Sequence, residues 1–450
     1  MREFIYRGRK IKRVGFFGFG RSNLGVKEYL DKTYSGLEYT LRADGDITAD
    51  EGRGFGRVLC GEAAYDEPYE DVIFVTPAVR RDREGLLKME ERGVVLSSDA
   101  EICTELAKIP IFAVSGSDGK STTVTLASKF LDAPAIGNIG VAMSPILVRG
   151  DVRCAVAELS SFQLLWQTPR TKRAVITNIS PNHLDWHRSY GEYISAKENL
   201  LKNAEERVFN LDCEISRELL GRYSAYAVYS TKMNAKEMIK AARAEVYVGL
   251  VGEYITANGV KILHTGAMQV KNRHNIANAV CAIALTHGYA ERERILRVAS
   301  EFRGLRHRCE SVGNFGGVCY INSSIDSTPK RTATTLYSLS GEWIVILGGR
   351  NKGLDYRELI EPLRARARLA VLTGECGKEI EKILCEADIK CVYEPDFRVA
   401  VELAASLARP GESVILSPAS TSFDSFSSFE ERGNYFKEII RNLHNEDLEK

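Results

Sequence analysis

The residues best suited to handling phosphate lie in one stretch. Gly116, Gly119, Lys120 and Ser121 are spaced G-x-x-G-K-S, with Ser117, Asp118 and Thr122 completing it. Glycines let a turn bring backbone N–H groups close to a phosphate, and a helix starting there adds partial positive charge. Lys120 then reaches the outer phosphates, and the hydroxyl of Ser121 or Thr122 can hold Mg²⁺. Farther along, Glu158 and His183 follow apolar runs, and both residue types can serve Mg²⁺ beside a triphosphate. His183 and His187 are four apart, but Pro181 lies just upstream and the glutamate of H-E-x-x-H is absent, which argues against zinc. Lys197 shares a helical face with Tyr190, Tyr193, Ile194 and Leu201. A lysine on such a stripe ordinarily carries its amine out to water. Held inside, the amine loses its proton more easily and becomes chemically usable.

These residues need elements to place them. The full phosphate-loop pattern has glycine where this chain has Val114, so the match depends on its surroundings. An apolar run over residues 109–115 precedes the glycines, and a helical segment over 123–130 follows. Residues 154–157 and 174–177 are two more predicted strands. In a parallel α/β sheet, ligands sit at the carboxyl ends of the strands, so the loop, Glu158 and His183 should converge.

Upstream, residues 14–17 lead into Gly18-Phe19-Gly20-Arg21-Ser22-Asn23, another strand, glycine turn and helix. Asn23 stands where a dinucleotide fingerprint has its third glycine. The next strand ends at Arg42, which suits a phosphate better than a ribose. Downstream, residues 245–270 read as short strands with a turn at Asn258-Gly259, and 275–285 as a strongly apolar helix. Beyond residue 303 come a hairpin (309–312 and 318–321) and strand–turn–helix units starting at 344, 370 and 414. The expected fold is α/β in three domains sharing a cleft. These are a Rossmann-like unit (1–108), a central P-loop-type unit with a mostly parallel sheet (109–303) and a second Rossmann-like unit (304–450).

Composition narrows the function. The 450 residues carry 61 Lys and Arg against 60 Asp and Glu, so no global charge points to nucleic acid or a membrane surface. No apolar run reaches the roughly 18 to 20 residues that span a bilayer. The charged N-terminus lacks the core of a signal peptide. Ten scattered cysteines without C-x-x-C fit reduced thiols, hence a cytoplasmic protein.

The chain resembles the Mur ligases through all three units. The resemblance rests on the 116–122 loop, Gly137-Asn138-Ile139-Gly140, Glu158-Leu159-Ser160-Ser161-Phe162-Gln163, Asn182-His183-Leu184-Asp185, Ala196-Lys197, His274-Asn275, His307-Arg308 and residues 417–433. The last stretch is similar to the branch that adds D-glutamate. The resemblance implies an ATP-dependent ligase joining D-glutamate to UDP-N-acetylmuramoyl-L-alanine through an acyl phosphate, with two Mg²⁺ ions. It assigns Ser121 and Glu158 to one ion and His183 with Lys197 to the other, Lys197 being N6-carboxylated by CO₂. Asn275, His307 and Arg308 would contact ATP. Gly20, Arg21, Ser22 and Arg42 would hold the uridine diphosphate, and Asn138, Ser160 and Gln163 would line the path to the reacting carboxylate. Lys352, Ser422 and Phe429 would receive D-glutamate. The resemblance further implies a monomer without nucleic-acid partner or membrane insertion.

Two departures stand out. Ser323 and Ile325 replace an aspartate and a lysine that many relatives carry, leaving Asp326 or Arg331 to compensate. Asp118 replaces the commoner asparagine. Competing readings are a sister ligase for another amino acid or for folate, a non-catalytic nucleotide-gated protein, and a dehydrogenase using the Gly18–Gly20 turn. Asn23 and Arg42 speak against the dehydrogenase.

Overall fold

The structure, a computed structural model, describes residues 2–48, 51–184, 186–350 and 353–445. The chain forms two compact units, Met1–Phe302 and Arg303–Lys450.

The first unit holds two large sheets. Five parallel strands run in the order Arg57–Cys60, Glu38–Ala43, Arg13–Phe17, Val72–Val75 and Val95–Ser97. A small antiparallel hairpin, Phe4–Tyr6 with Arg9–Ile11, precedes them. The second sheet has nine strands. Seven are parallel, ordered Ala135–Gly137, Ala155–Glu158, Ile111–Ser115, Thr171–Ile176, Ala204–Asn210, Ala227–Ser230 and Val246–Val251. Two antiparallel strands, Tyr254–Ala257 and Val260–His264, close the edge around the Asn258-Gly259 turn.

Ile111–Ser115 is buried along its whole length, as is Val72–Val75. Helices cover both faces of a parallel sheet, so its inner strands are continuously apolar rather than alternating. The apolar helix expected near 275–285 spans Arg273–Thr286, and every residue from Ala279 to Thr286 is buried.

The second unit carries a six-stranded sheet ordered Glu310–Phe315, Val318–Asn322, Ser413–Leu416, Trp343–Gly348, Ala367–Thr373 and Cys391–Tyr393. Only the first pair is antiparallel. Trp343 to Leu347 form its fully buried spine. In both units the backbone thus delivers several loops to one carboxyl-end edge of a parallel sheet.

Candidate active site

The phosphate loop leaves the middle of the nine-stranded sheet. Ile111–Ser115 lies between Ala155–Glu158 and Thr171–Ile176, with Val114 paired to Glu158 and Ser115 to Ile176. Gly116 has φ +146°, and a Cβ there would collide with Thr177 Oγ1. Gly119 has φ +76°, and a Cβ there would collide with Asn278 Oδ1. Both positions therefore require glycine.

The neighbouring strand end holds the loop in shape. Thr177 Oγ1 donates to the Asp118 carbonyl at 2.6 Å, and Asn178 Nδ2 donates to the same oxygen at 3.2 Å. Asp118 N–H donates back to Asn178 Oδ1 at 2.9 Å. The Lys120–Leu131 helix starts from Gly119 without a side-chain cap. Its first N–H groups are thus not taken by a capping side chain, the arrangement that receives phosphate. Lys120 Nζ donates to the Ser117 carbonyl at 2.8 Å, while Ser121 and Thr122 are half-buried in the first turn.

Glu158, at the adjacent strand end, is 1% exposed. Asn138 Nδ2 donates to its Oε1 at 2.8 Å, whereas Oε2 is buried without a hydrogen-bond partner. An unmatched buried carboxylate oxygen is costly, and a hard cation is its natural complement. Among the described residues, no three His, Cys, Asp or Glu side chains group as a metal site. Mg²⁺ takes one or two carboxylates, water and substrate phosphates.

Lys197 is buried, with Nζ donating to the Gly116 carbonyl at 2.7 Å and lying 4.6 Å from the Tyr193 ring centroid. Burial, and then the charge of Lys120, push its amine well below the ordinary lysine range, against the pull of Asp118 and Glu158. The helix Tyr190–Lys202 therefore turns this lysine inward rather than out to water. The Tyr193 hydroxyl lies 2.9 Å from Ser117 Oγ, which also donates to the Ser180 carbonyl at 3.0 Å.

His183 has φ +54°, an uncommon value for a residue with a side chain. Its ring lies 4.9 Å from Phe162 and 6.5 Å from Tyr193. His187 faces elsewhere. It is buried, with Nε2 3.0 Å from Ser161 Oγ and Nδ1 3.3 Å from Glu192 Oε2 outside hydrogen-bond geometry. Glu192 is gripped by Arg80, which also donates to the Trp186 carbonyl at 2.9 Å and lies over the Trp166 and Trp186 rings.

The structure thus brings Lys120, Glu158, His183 and Lys197 to one strand-end edge. The sequence reading had not singled out Tyr193, Thr177, Asn178, Asn278 or Arg80. Thr177 and Asn178 were legible as polar residues closing a strand, but Tyr193 read only as part of an apolar stripe.

Other expected site residues divide. Arg21 extends its guanidinium to the carbonyls of Gly137, Asn138 and Gly140 at 3.1–3.2 Å, with Gly20 as helix N-cap and Ser22 half-buried beside it. Arg42 is a correction. It is fully buried, bidentate to Glu70 at 3.0 and 2.9 Å, and donates to the Ala64 and Asp66 carbonyls. It therefore has no face for a phosphate. Ser160 and Gln163 form a capping box, with Gln163 Oε1 accepting from the Ser160 N–H and hydroxyl at 2.9 Å each. Asn275, half-buried in the Arg273–Thr286 helix, takes its N–H to Asn272 Oδ1 at 2.9 Å.

In the second unit, His307 packs inside its own sheet edge. It is buried, with Nδ1 3.1 Å from Asn322 Nδ2 and its ring 6.0 Å from Phe429. Arg308 is exposed, so of this pair the arginine is the one presented to solvent. Ser422 is buried and Phe429 half-buried, near the carboxyl edge of the six-stranded sheet. Lys352 and Asp185 lie outside the described residues. Asp326 accepts from Ser417 Oγ at 2.9 Å inside this unit, and burial pushes its carboxyl above the usual range. Ser323 is fully buried and accepts from Cys309 N–H at 3.2 Å.

A glycine loop, a helix start, one unmatched carboxylate oxygen and a buried amine define a nucleotide-dependent enzyme on a parallel sheet. Residues 114–286 match the Mur ligase middle domain and residues 307–420 the Mur ligase glutamate ligase domain. This chain belongs to the Mur ligase family. A UDP-N-acetylmuramoylalanine–D-glutamate ligase of Acetivibrio thermocellus is 36% identical over 456 residues, covering 96% of this chain and 97% of that one. Its namesake from Ruminiclostridium cellulolyticum is 37% identical over 83% of each. The crystal structure of the UDP-N-acetylmuramate–alanine ligase MurC of Thermotoga maritima shares the fold at a TM-score of 0.59 and 18% identity, covering 96% of this chain and all of that one. No helix among the described residues is long and apolar enough to cross a membrane.

Proposed function

We propose that this chain is the ATP-dependent ligase that joins D-glutamate to UDP-N-acetylmuramoyl-L-alanine in peptidoglycan precursor synthesis. The observation that carries this reading is the near-full-length similarity to relatives of that name. The substrate carboxylate attacks the γ-phosphorus of ATP, and ADP leaves. The amine of D-glutamate then attacks the acyl carbonyl, loses a proton and expels phosphate. Such transfer needs positioning and charge neutralisation more than covalent help, which is what this site offers.

In this reading residues 1–108 bind the uridine nucleotide, 109–303 ATP and 304–450 the amino acid, in a cytoplasmic monomer. Loop N–H groups from Gly116 to Thr122 and the Lys120 amine hold the outer phosphates. Asn275, His307 and Arg308 serve the nucleotide. Gly20, Arg21 and Ser22 take the diphosphate, and Asn138, Ser160 and Gln163 line the route to the reacting carboxylate. Ser422, Phe429 and Lys352 receive D-glutamate, Lys352 by pairing with a carboxylate.

Bound Mg²⁺ supplies charge neutralisation on the transferring phosphoryl group. Ser121 and the unmatched Glu158 Oε2 fit it directly. His183 and Lys197 would hold the second ion, but a bare amine is a poor ligand for a hard cation. An amine relieved of its proton by burial can attack CO₂, giving a carbamate with oxygen donors and releasing one proton. This supports an N6-carboxylated Lys197.

The test is phosphate release with ATP, Mg²⁺, UDP-N-acetylmuramoyl-L-alanine and a panel of amino acids. Release should require both the nucleotide sugar and D-glutamate. Equal release with L-alanine or meso-diaminopimelate would assign the chain to a sister activity. With ¹³C-bicarbonate, wild type should show a carbamate resonance that Lys197→Met lacks.

A further inference from the structure

All ten cysteines are free thiols, and among the described residues one pair of their sulfurs is in contact. Cys385 Sγ and Cys391 Sγ lie 3.8 Å apart, with Cys385 exposed and Cys391 half-buried. Cys385 sits in the last turn of the Gly377–Glu386 helix. Cys391 opens the Cys391–Tyr393 strand at the edge of the six-stranded sheet.

The backbone fixes this contact from both sides. Asp388 N–H donates to the Cys385 carbonyl at 3.1 Å and Ile389 N–H to the Leu384 carbonyl at 2.9 Å, with Asp388 left-handed at φ +56°. Bonds of this kind end a helix in one defined geometry. Leu384 and Ile389 are buried, so the turn is anchored to the core. Cys391 pairs with Ala370, whose N–H donates to the Lys390 carbonyl at 3.0 Å. At the start of the helix the Tyr393 ring packs on Gly377, where a Cβ would collide with it. Helix and edge strand therefore run side by side in opposite directions, with the two thiols at the amino end of the strand.

Two thiols held in contact can give up two electrons together. We propose that Cys385 and Cys391 form a reversible oxidation site for hydroperoxides, whose product is a disulfide fastening the helix to the edge strand. The exposed Cys385 meets the oxidant. Its thiolate attacks one peroxide oxygen and becomes a sulfenic acid, and the departing hydroxide takes up the thiol proton as water. The Cys391 sulfur then attacks the sulfenic sulfur, forms the S–S bond and expels the hydroxyl, which leaves as water with the Cys391 proton. Two thiols and one hydrogen peroxide thus give one disulfide and two waters. Burial, and then the neighbouring Cys385 sulfur, push the Cys391 thiol up, which keeps it protonated until its partner has reacted. A dithiol reductant reverses the bond by exchange.

Treatment of the full-length protein with one equivalent of hydrogen peroxide tests this. Trypsin should then release residues 383–390 and 391–398 as one linked species, which dithiothreitol separates into two peptides. Cys391→Ser should stop at the sulfenic acid and take a dimedone label on Cys385, with about tenfold less label in wild type. Cys385→Ser, at an exposed position, should leave Cys391 unoxidised. The bond confines residues 385–391 in the unfolded chain, so the oxidised protein should melt about 5 °C higher, a gain that neither serine variant shows. Linkage through other cysteines in place of this pair would overturn the proposal. So would equal dimedone labelling of Cys385 in wild type and Cys391→Ser, or an oxidised form that melts no higher than the reduced one.

Discussion

Two strand–turn–helix segments of the Met1–Phe302 unit start from the same local chemistry and finish differently. At residues 13–33, Gly18 turns with φ +74° and the helix begins from Gly20 without a side-chain cap. At residues 111–131, Gly116 and Gly119 turn in the same sense and the helix again begins without a cap. What surrounds each turn separates them. Around the first, Asn23 Nδ2 ties the turn to the carbonyls of Phe17, Gly18 and Phe74, and Arg42 is spent on Glu70. Around the second, a neighbouring strand and the Tyr190–Lys202 helix supply groups that do not cancel. Glu158 Oε2 is unmatched, and the Lys197 amine is buried without an acid in contact. Both turns leave a buried oxygen unmatched, Asn23 Oδ1 at the first and Glu158 Oε2 at the second, but only at the second do ionisable groups remain unpaired, and that rather than the turn itself suits phosphoryl chemistry.

Lys197→Met breaks that contrast most severely. It keeps the apolar stem against Tyr193 and removes the amine. Turnover should fall by about 10³-fold while the fold persists, as expected when a transition-state electrostatic group is lost. Stability supplies an independent readout. The amine titrates below the ordinary lysine value in the folded chain, so between those two values the unfolded chain binds more protons. Wild-type stability therefore rises with pH through that window in carbonate-free buffer, and the Met variant should lose this slope. Full activity in Lys197→Met, measured by phosphate release, would reduce the lysine to packing.

Arg42→Met probes the other side. Leaving Glu70 buried without its cation, with the Tyr69 N–H as a remaining donor at 2.9 Å, should cost about 3–5 kcal/mol in denaturant unfolding. The KM for the uridine nucleotide should hold in the protein that remains folded. Burial alone would raise the Glu70 carboxyl, but hydrogen bonds and charge from Arg42 bring it below the usual range. The pair's stabilisation is therefore present above the ordinary carboxylate range and lost as pH falls through the lowered value. Arg42→Met/Glu70→Leu should recover most of the loss and be less acid-sensitive. An unchanged stability with a raised KM would restore the phosphate role that the sequence suggested.

Arg42 and Lys197 also show how far the sequence could be read. Continuous apolar runs ending in polar residues placed the strands at 111–115, 155–158 and 171–176 within a few residues. Their parallel pairing then brought Lys120, Glu158 and His183 to one edge. Direction of a long side chain was not legible. Arg42 and Lys197 each end or interrupt an apolar pattern, and both turn inward, because Glu70, just before the Val72–Val75 strand, meets one and the Gly116 carbonyl meets the other. His307 is the same lesson in the second unit, since its partner Asn322 lies across a strand pair.

Asn23→Gly restores the third glycine of a dinucleotide fingerprint and so sharpens the comparison of the two turns. The Asn23 amide contacts three carbonyls at 2.6–3.3 Å, although its own Oδ1 is buried without a partner. Losing the amide should cost about 1–3 kcal/mol in thermal or denaturant unfolding. No NADH binding should appear in a fluorescence titration, because the strand that follows still ends in the buried Arg42 rather than an acid. Gain of NADH binding would mean that the first turn was a dinucleotide site masked by one residue.

Tyr193→Phe asks the smallest question, whether the second turn depends on a single hydroxyl beneath it. The substitution keeps the ring under Lys197 and removes only the 2.9 Å contact to Ser117 Oγ. Ser117 retains the Ser180 carbonyl and N–H as partners at 3.0 and 2.9 Å, so the loop is loosened rather than released. One hydrogen bond of about 1 kcal/mol corresponds to about a fivefold rise in the KM for ATP. Turnover at saturating ATP should change by less than about twofold, since the lost bond holds the loop equally in ground and transition states. A fall in turnover of 10²-fold or more with KM unchanged would instead place this hydroxyl among the groups acting in the transition state.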